Sequence, residues 1–563
     1  MNREATIPLD FPSAESTSLI IRKERAAASR IWIFATFALV LIYALPIITF
    51  PPGRDQGTYL QIGQSLLEGK HLYVDLWDNK PPGIFYAYAV IAKFFGRVMW
   101  SVALADILLL LSISYFLFQF AESYLGRVGA AITVIIHAGW HCGMLYYWVA
   151  QPETFQTLAV LAAFVMLKGA KRWKLRCFTA GIVTGFGIWQ KYNFIAFLPL
   201  LMFFPFLDNG ALDQQPPRFG LTLAWRPWFA RIAFAASGFL LTIVTVMASI
   251  VLTGCWPAMR ESQFHVLPRY AAMGISQDPH YLLMALYRTT VWLLPDTLFV
   301  TLFALVIGWR SRDLKRLLPI FIAAMVALGA TVMQVRFHNY YFQVCYPFFA
   351  ALWAYLGLKL YEGTRSLASR FRAQNWRLAG VLVWIVLANI VFWPVPEQAK
   401  ELYTRYGEFL EWRSNRELFY AHYPDHLAIE LLRGQLDVVH YVQKNTRAGD
   451  PIYVWGSNSL IYFLSDRQSP TRFVLNLGVI AKWGEPGWKK EIMNDIEAKQ
   501  PRLIIVTQRD ALPSTTYVNA DSEQYLHTEF KDLDNYIKRN YNEAERFDGF
   551  VIYKKNSTPA RSM

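Results

Sequence analysis

Charged residues are scarce in this chain. Only 17% of its 563 residues are Asp, Glu, Lys or Arg, against about 25% in soluble globular proteins, so an ordinary water-soluble fold is excluded. Cysteine is also rare. The four present, Cys142, Cys177, Cys255 and Cys345, all lie in or beside apolar runs, so no disulfide framework or zinc site is expected in the segment after Pro396. A glycine-rich nucleotide fingerprint is missing, because Trp455-Gly456-Ser457 is a lone turn. No internal repeat or low-complexity tract is visible. Nor is a compact cleavable signal peptide: the first apolar run, 31–50, has no small-residue cleavage site and reads as a retained span.

Apolar residues are abundant instead. They make up 54% of the chain, with 16% aromatic. Runs long enough to cross a bilayer fall at 31–50, 101–120, 128–147, 153–167, 177–189, 194–206, 232–251, 291–307, 317–333, 341–360 and 379–393, about eleven in all. The fifth and sixth are short, yet merging them would break the alternation of loop charge. Basic residues gather in every second loop: Arg22 to Arg30, Arg127, Lys168 to Arg176, Arg218 to Arg231, Arg310 to Arg316 and Arg365 to Arg377. This positive-inside pattern places the N-terminus in the cytoplasm. It also accounts for the net charge of +14 without a nucleic-acid partner.

The expected fold class is a multi-span α-helical membrane protein over 1–395, with a first outer loop at 50–100, followed by a C-terminal extracytoplasmic α/β domain over 396–563. In that last part charges become dense. Strand-like runs (Ile452 to Trp455, Leu503 to Val506, Phe550 to Tyr553) alternate with helical stretches, and the length suits a small domain. Within the first outer loop, Tyr59, Ile62, Leu66 and Leu67 recur at helical spacing against Gln61, Gln64 and Glu68. That pattern predicts an amphipathic helix lying on the bilayer. A second interfacial helix is predicted over 83–98.

This topology collects polar residues at the outer ends of the spans: Arg54, Asp55, Asp78, Lys80, Glu153, Lys191, Arg269, Arg336, His338 and Tyr340. Ionisable groups near a membrane usually face a cavity or a partner, and this mixture suits an anionic ligand. The plainer reading of each is open too. A single outward Lys or Arg can snorkel to headgroups, Glu153 can serve a helix dipole, and His338 can be an interfacial residue. Asp55 is hardest to explain plainly, since it follows a span directly among prolines and glycines.

The first outer loop, Arg54-Asp55-Gln56-Gly57-Thr58-Tyr59, then Leu67-Glu68-Gly69-Lys70 to Asp75, then Asn79-Lys80-Pro81-Pro82-Gly83, resembles that of the GT-C glycosyltransferase superfamily. The likeness is to its bacterial branch, related to protein O-mannosyltransferases and the lipid A aminoarabinose transferase. Gln151-Pro152-Glu153, Gly185 to Lys191 and Arg336 to Tyr341 extend the likeness. The resemblance implies an integral membrane enzyme, in a bacterial inner membrane with its active site in the periplasm. It would take a polyprenyl-phosphate sugar from membrane lipid and pass the sugar to a lipid, glycan or protein hydroxyl, with inversion. It implies Asp55 as general base with Glu153 assisting. Lys80, Lys191, Arg336, His338 and Arg269 would meet the donor phosphate, and Arg54, Tyr59, Asp78 and Tyr340 would support the acceptor. Gln56 and Asn79 stand where many relatives carry acids, so metal-independent catalysis is expected, with a divalent cation the alternative. The rival class is a transporter or flippase of an anionic lipid-linked substrate.

Overall fold

The computed structural model describes residues 31–168, 171–207, 225–276, 283, 287, 299–334, 338–370, 395–423 and 431–556. The helices are α1 (Ile31–Thr49), α2 (Arg54–Leu67), α3 (Pro82–Phe95), α4 (Ser101–Cys142), α5 (Pro152–Leu167), α6 (Trp173–Gln190), α7 (Phe197–Leu207) and α8 (Trp225–Leu252). A short helix Trp256–Arg260 continues through a π turn, Glu261–Val266, into α9 (Leu267–Ser276). Then follow α10 (Phe299–Arg310), α11 (Leu314–Val332), α12 (Tyr346–Arg370) and α13 (Val395–Ser414). Among the described residues, four helices are long and apolar enough to cross a membrane: α1, α4, α8 and α11. Shorter apolar helices include α3, α5 and α10. This is an integral membrane helical protein. The expected span at 379–393 lies outside the described residues, and that at 291–307 is described only from Phe299 onward.

The expected span at 101–120 and most of that at 128–147 fall in α4. Forty-two residues of straight helix would be roughly 63 Å long, about twice the hydrocarbon thickness of a bilayer. The trace is not straight. Gly126 sits at φ 71° and ψ 179°, a conformation that no helix contains and that glycine adopts without strain. Beyond it the chain folds back, for His141 Nε2 lies 2.7 Å from Asp106 Oδ2. Thirty-five residues of unbroken helix would hold those atoms roughly 50 Å apart.

Helix α2 forms where the sequence predicts a helix, but it does not lie on a bilayer with one face in water. Gln61, on the side assigned to solvent, is buried, as is the neighbouring Gln56, while Leu67, on the side assigned to lipid, is 45% exposed. Gly63 lets α2 press against α3: a Cβ there would stand 2.5 Å from the backbone nitrogen of Ala89. On another side Thr58 Oγ1 donates to Ser459 Oγ at 3.1 Å. Protein encloses α2 on both of these sides, which is why periodicity alone misassigned its surroundings.

The C-terminal part adds α14 (Leu432–Asn445), β1 (Ile452–Trp455), α15 (Leu460–Ser465), α16 (Trp488–Lys499), β2 (Leu503–Thr507), α17 (Ser522–Glu529), α18 (Lys531–Asn540), β3 (Tyr541–Phe547) and β4 (Phe550–Lys555). The sheet order is β1-β2-β4-β3. Strand β1 runs parallel to β2, with Ile452 beside Leu503, and β4 is antiparallel to both its neighbours. The fully buried β1 and β2 read as continuous apolar runs, as strands covered on both faces do. Polar β3 takes the edge, where charged side chains discourage further pairing.

This part grips the loop between α2 and α3. Trp77 packs against Phe473, Trp483 and Trp488, and its backbone N–H donates to the Arg472 carbonyl at 2.7 Å. The Arg472 guanidinium bonds Glu261 at 3.0 Å and Glu491 at 2.7 Å, so one side chain joins the loop, the π turn and α16.

Candidate active site

Asp55 occupies the first turn of α2 behind Gly53, the N-cap, where the helix dipole favours negative charge. It is half-buried. Among the described residues no hydrogen-bond or ion-pair partner occupies its carboxylate, though its charge acts on Tyr59, Asp78, Lys80 and Tyr340. Lys80 stands at the far end of the same loop, its Nζ 5.6 Å from the Tyr59 ring centroid. The buried Asp78 anchors that end: its Oδ1 accepts from the Lys80 backbone N–H at 2.9 Å. Burial pushes the Asp78 carboxyl above its ordinary range, against the pull of Lys80.

Glu153 and Lys191 form the second half of the cluster. Glu153 lies in the first turn of α5 behind Pro152, Lys191 at the C-terminal cap of α6. Lys191 Nζ donates to Glu153 Oε1 at 2.5 Å and stands 3.4 Å from the Tyr341 ring centroid. Glu153 is fully buried, and its second oxygen has no partner among the described residues. The two halves meet, since the Lys80 charge acts on Lys191 and that of Glu153 on Tyr340. Ring stacking of His338 on Tyr340, with centroids 5.7 Å apart, brings it beside the cluster.

Other expected site residues lie elsewhere. Arg336 lies outside the described residues. Arg269 pairs with Glu485 of the C-terminal part, which takes its charge away from the cluster. Arg54 faces the C-terminal part too. Burial pushes the Asp510 carboxyl up, while hydrogen bonds from Ser522 and the charge of Arg54 pull it down. Among the described residues no three His, Cys, Asp or Glu side chains group to hold a metal, and one Glu153 oxygen is held by Lys191.

The reading from sequence missed the support behind Glu153. Asp106 accepts from His141 with one oxygen and from the Ala150 backbone N–H, at 2.7 Å, with the other. Tyr88 donates to the Ala150 carbonyl at 3.0 Å. Ala150 has φ 47°, a strained value for a residue with a Cβ, and these bonds hold it there just ahead of Pro152. An acid inside the apolar run 101–120 was the available signal.

The fold is an integral membrane helical one of the GT-C type, as the first-loop resemblance implied. Residues 79–225 match the dolichyl-phosphate-mannose-protein mannosyltransferase family, and residues 433–556 match the Ccs4 C-terminal domain family. No curated protein matches the chain. ArnT from Cupriavidus metallidurans in the apo state aligns with a TM-score of 0.53 at 14% identity, over 93% of this chain and 98% of that one. The same protein bound to undecaprenyl phosphate gives 0.52 at 13%, over 93% and 97%. Archaeal oligosaccharyltransferase AglB from Archaeoglobus fulgidus, in complex with an inhibitory peptide and a dolichol-phosphate, gives 0.45 at 12%, over 94% and 75%. At these identities the likeness to ArnT is one of fold.

Proposed function

We propose that this chain is a glycosyltransferase that moves a sugar from a polyprenyl-phosphate carrier to the hydroxyl of a lipid, glycan or protein acceptor. The reaction takes place at the outer face of a bacterial inner membrane, with about eleven spans in residues 1–395 and residues 396–563 in the periplasm as an α/β domain. The observation that carries this reading is the Asp55 carboxylate, without a partner among the described residues and set at a helix N-terminus within electrostatic reach of Lys80. The family match over 79–225 and the ArnT-like fold support it.

Asp55 accepts the proton of the acceptor hydroxyl. The acceptor oxygen then attacks the anomeric carbon from the face opposite the phosphate, the carbon–phosphate-oxygen bond breaks, and the configuration inverts. Negative charge gathers on the departing lipid phosphate. Lys80 and Lys191, with Arg336 and His338, stabilise it. Glu153 holds Lys191 in place and leaves one oxygen to orient the acceptor hydroxyl. Tyr59, Asp78, Tyr340 and Arg54 support this arrangement, while Arg269 serves the contact with the C-terminal part.

The test compares wild type with Asp55→Asn, reconstituted with labelled polyprenyl-phosphate mannose and a pool of cell-envelope acceptors. Transfer should fall by about 10²-fold or more, with donor binding retained. Unchanged transfer in the variant would overturn the base role.

A further inference from the structure

The loop that carries Lys80, between α2 and α3, has little regular structure of its own. Its ladder pairing amounts to one bridge between Leu72 and Leu76. Both backbone groups of Lys80 are nevertheless held. The N–H donates to Asp78 Oδ1 at 2.9 Å. The carbonyl accepts from the Tyr73 hydroxyl at 2.7 Å and from Gln263 Nε2 at 3.2 Å. Beside it, the Asp78 carbonyl accepts from Ser262 Oγ at 2.6 Å. Tyr73, Asp78, Ser262 and Gln263 are all buried. Ser262 and Gln263 belong to the π turn Glu261–Val266, a rare geometry that frequently marks functional sites. Lys80 is thus clamped from two sides, by Tyr73 of its own loop and by the π turn.

One side chain of the C-terminal part reaches both arms of this clamp. The Arg472 guanidinium donates to the two oxygens of Glu261 at 3.0 and 3.1 Å, and to the Tyr73 carbonyl at 3.4 Å. Trp488 Nε1 adds a bond to Glu261 Oε1 at 2.8 Å. A fork of two charge-assisted bonds fixes direction as well as distance. Tyr73 has φ 66°, a strained value for a residue with a Cβ, so its place has to be imposed by its neighbours. A residue that only fastened the two parts together would need no more than the Trp77 and Glu491 contacts. The remaining bonds of Arg472 go to the two segments that hold Lys80. We infer that Arg472 is a positioning residue, through which the C-terminal part sets where the Lys80 ammonium meets the carrier phosphate. This rests on the proposed role of Lys80 and gives the C-terminal part a task in the reaction. An ammonium on a flexible four-carbon stem is aimed from the backbone at its root, and a misplacement of about 1 Å can cost about 10²-fold in rate.

The experiment measures binding of undecaprenyl phosphate to the full-length protein in nanodiscs. It compares wild type, Arg472→Lys and Gln263→Leu, each with and without Lys80→Met. Arg472→Lys keeps the charge but gives up the fork, and Gln263→Leu removes one neutral contact to the Lys80 carbonyl. Each single change should weaken binding about tenfold. Neither should weaken it further once Lys80→Met is present, because a residue that acts through Lys80 then has nothing left to position. Equal losses with and without Lys80→Met would overturn the inference, since the two residues would be acting on the fold at large. Unchanged binding in both single variants, with Lys80→Met weakened, would overturn it too and leave the phosphate role of Lys80 intact. Binding by Lys80→Met as tight as wild type would sink that role and the inference together. If Arg472→Lys does not fold, Gln263→Leu decides among these outcomes alone.

Discussion

At the scale of single residues the cluster is a set of charges that depend on one another. Glu153 and Lys191 form a buried pair 2.5 Å apart. Removing one partner of such a pair leaves an uncompensated charge and costs roughly 3–5 kcal/mol, whereas replacing both is often tolerated. Lys191→Met should therefore lower the melting temperature in detergent, and Lys191→Met combined with Glu153→Gln should recover most of that loss while transfer stays abolished. A double variant as unstable as the single one would mean the pair is not coupled. Asp55, Lys80, Glu153 and Lys191 were legible in the sequence because ionisable groups beside apolar runs stand out. The glutamines were not. Gln56 reads as an acid replaced, yet its amide holds Val149, a partner 93 residues away that no local pattern discloses.

At the scale of elements, the apolar runs located most helices, since burial in lipid or protein demands them in either case. Their environment was harder to read. Helix α2 has the periodicity of a helix floating on a bilayer but is enclosed by α3 and the C-terminal part. The α4 hairpin hides a further dependence. Asp106 satisfies both His141 and the strained Ala150 N–H, and hydrogen bonds to a charged group contribute about 1.5–3 kcal/mol each. Asp106→Ala should destabilise the protein by several times the effect of an exposed substitution such as Ser112→Ala, read as a melting shift, and should slow transfer by displacing Glu153. A melting curve matching wild type would remove Asp106 from this role.

At the scale of the whole molecule, the C-terminal part is fastened to α2 and the loop after it through Trp77, Arg472 and the bond between Thr58 and Ser459. Trp77→Ala should weaken that fastening, with a cost of about 3–5 kcal/mol for a buried tryptophan, seen as faster limited proteolysis between the two parts; an unchanged digestion rate would count against it. Asp510 predicts a pH response. Its carboxyl is raised by burial, so the folded state binds its proton more tightly than the unfolded state does. Its contribution to stability is then most favourable at low pH and declines as pH rises from the ordinary carboxylate range through the raised value. Asp510→Asn should flatten that part of the melting profile, and an unaltered slope would exclude Asp510 as its source. By itself the sequence determined that the chain is a helical membrane protein with charges gathered beside its spans, because hydropathy and charge placement are local properties of the chain. Only the tertiary structure decided which polar atoms were satisfied, that α2 is enclosed, and that Asp106 lies behind Glu153, because those outcomes depend on contacts between residues tens to hundreds of positions apart.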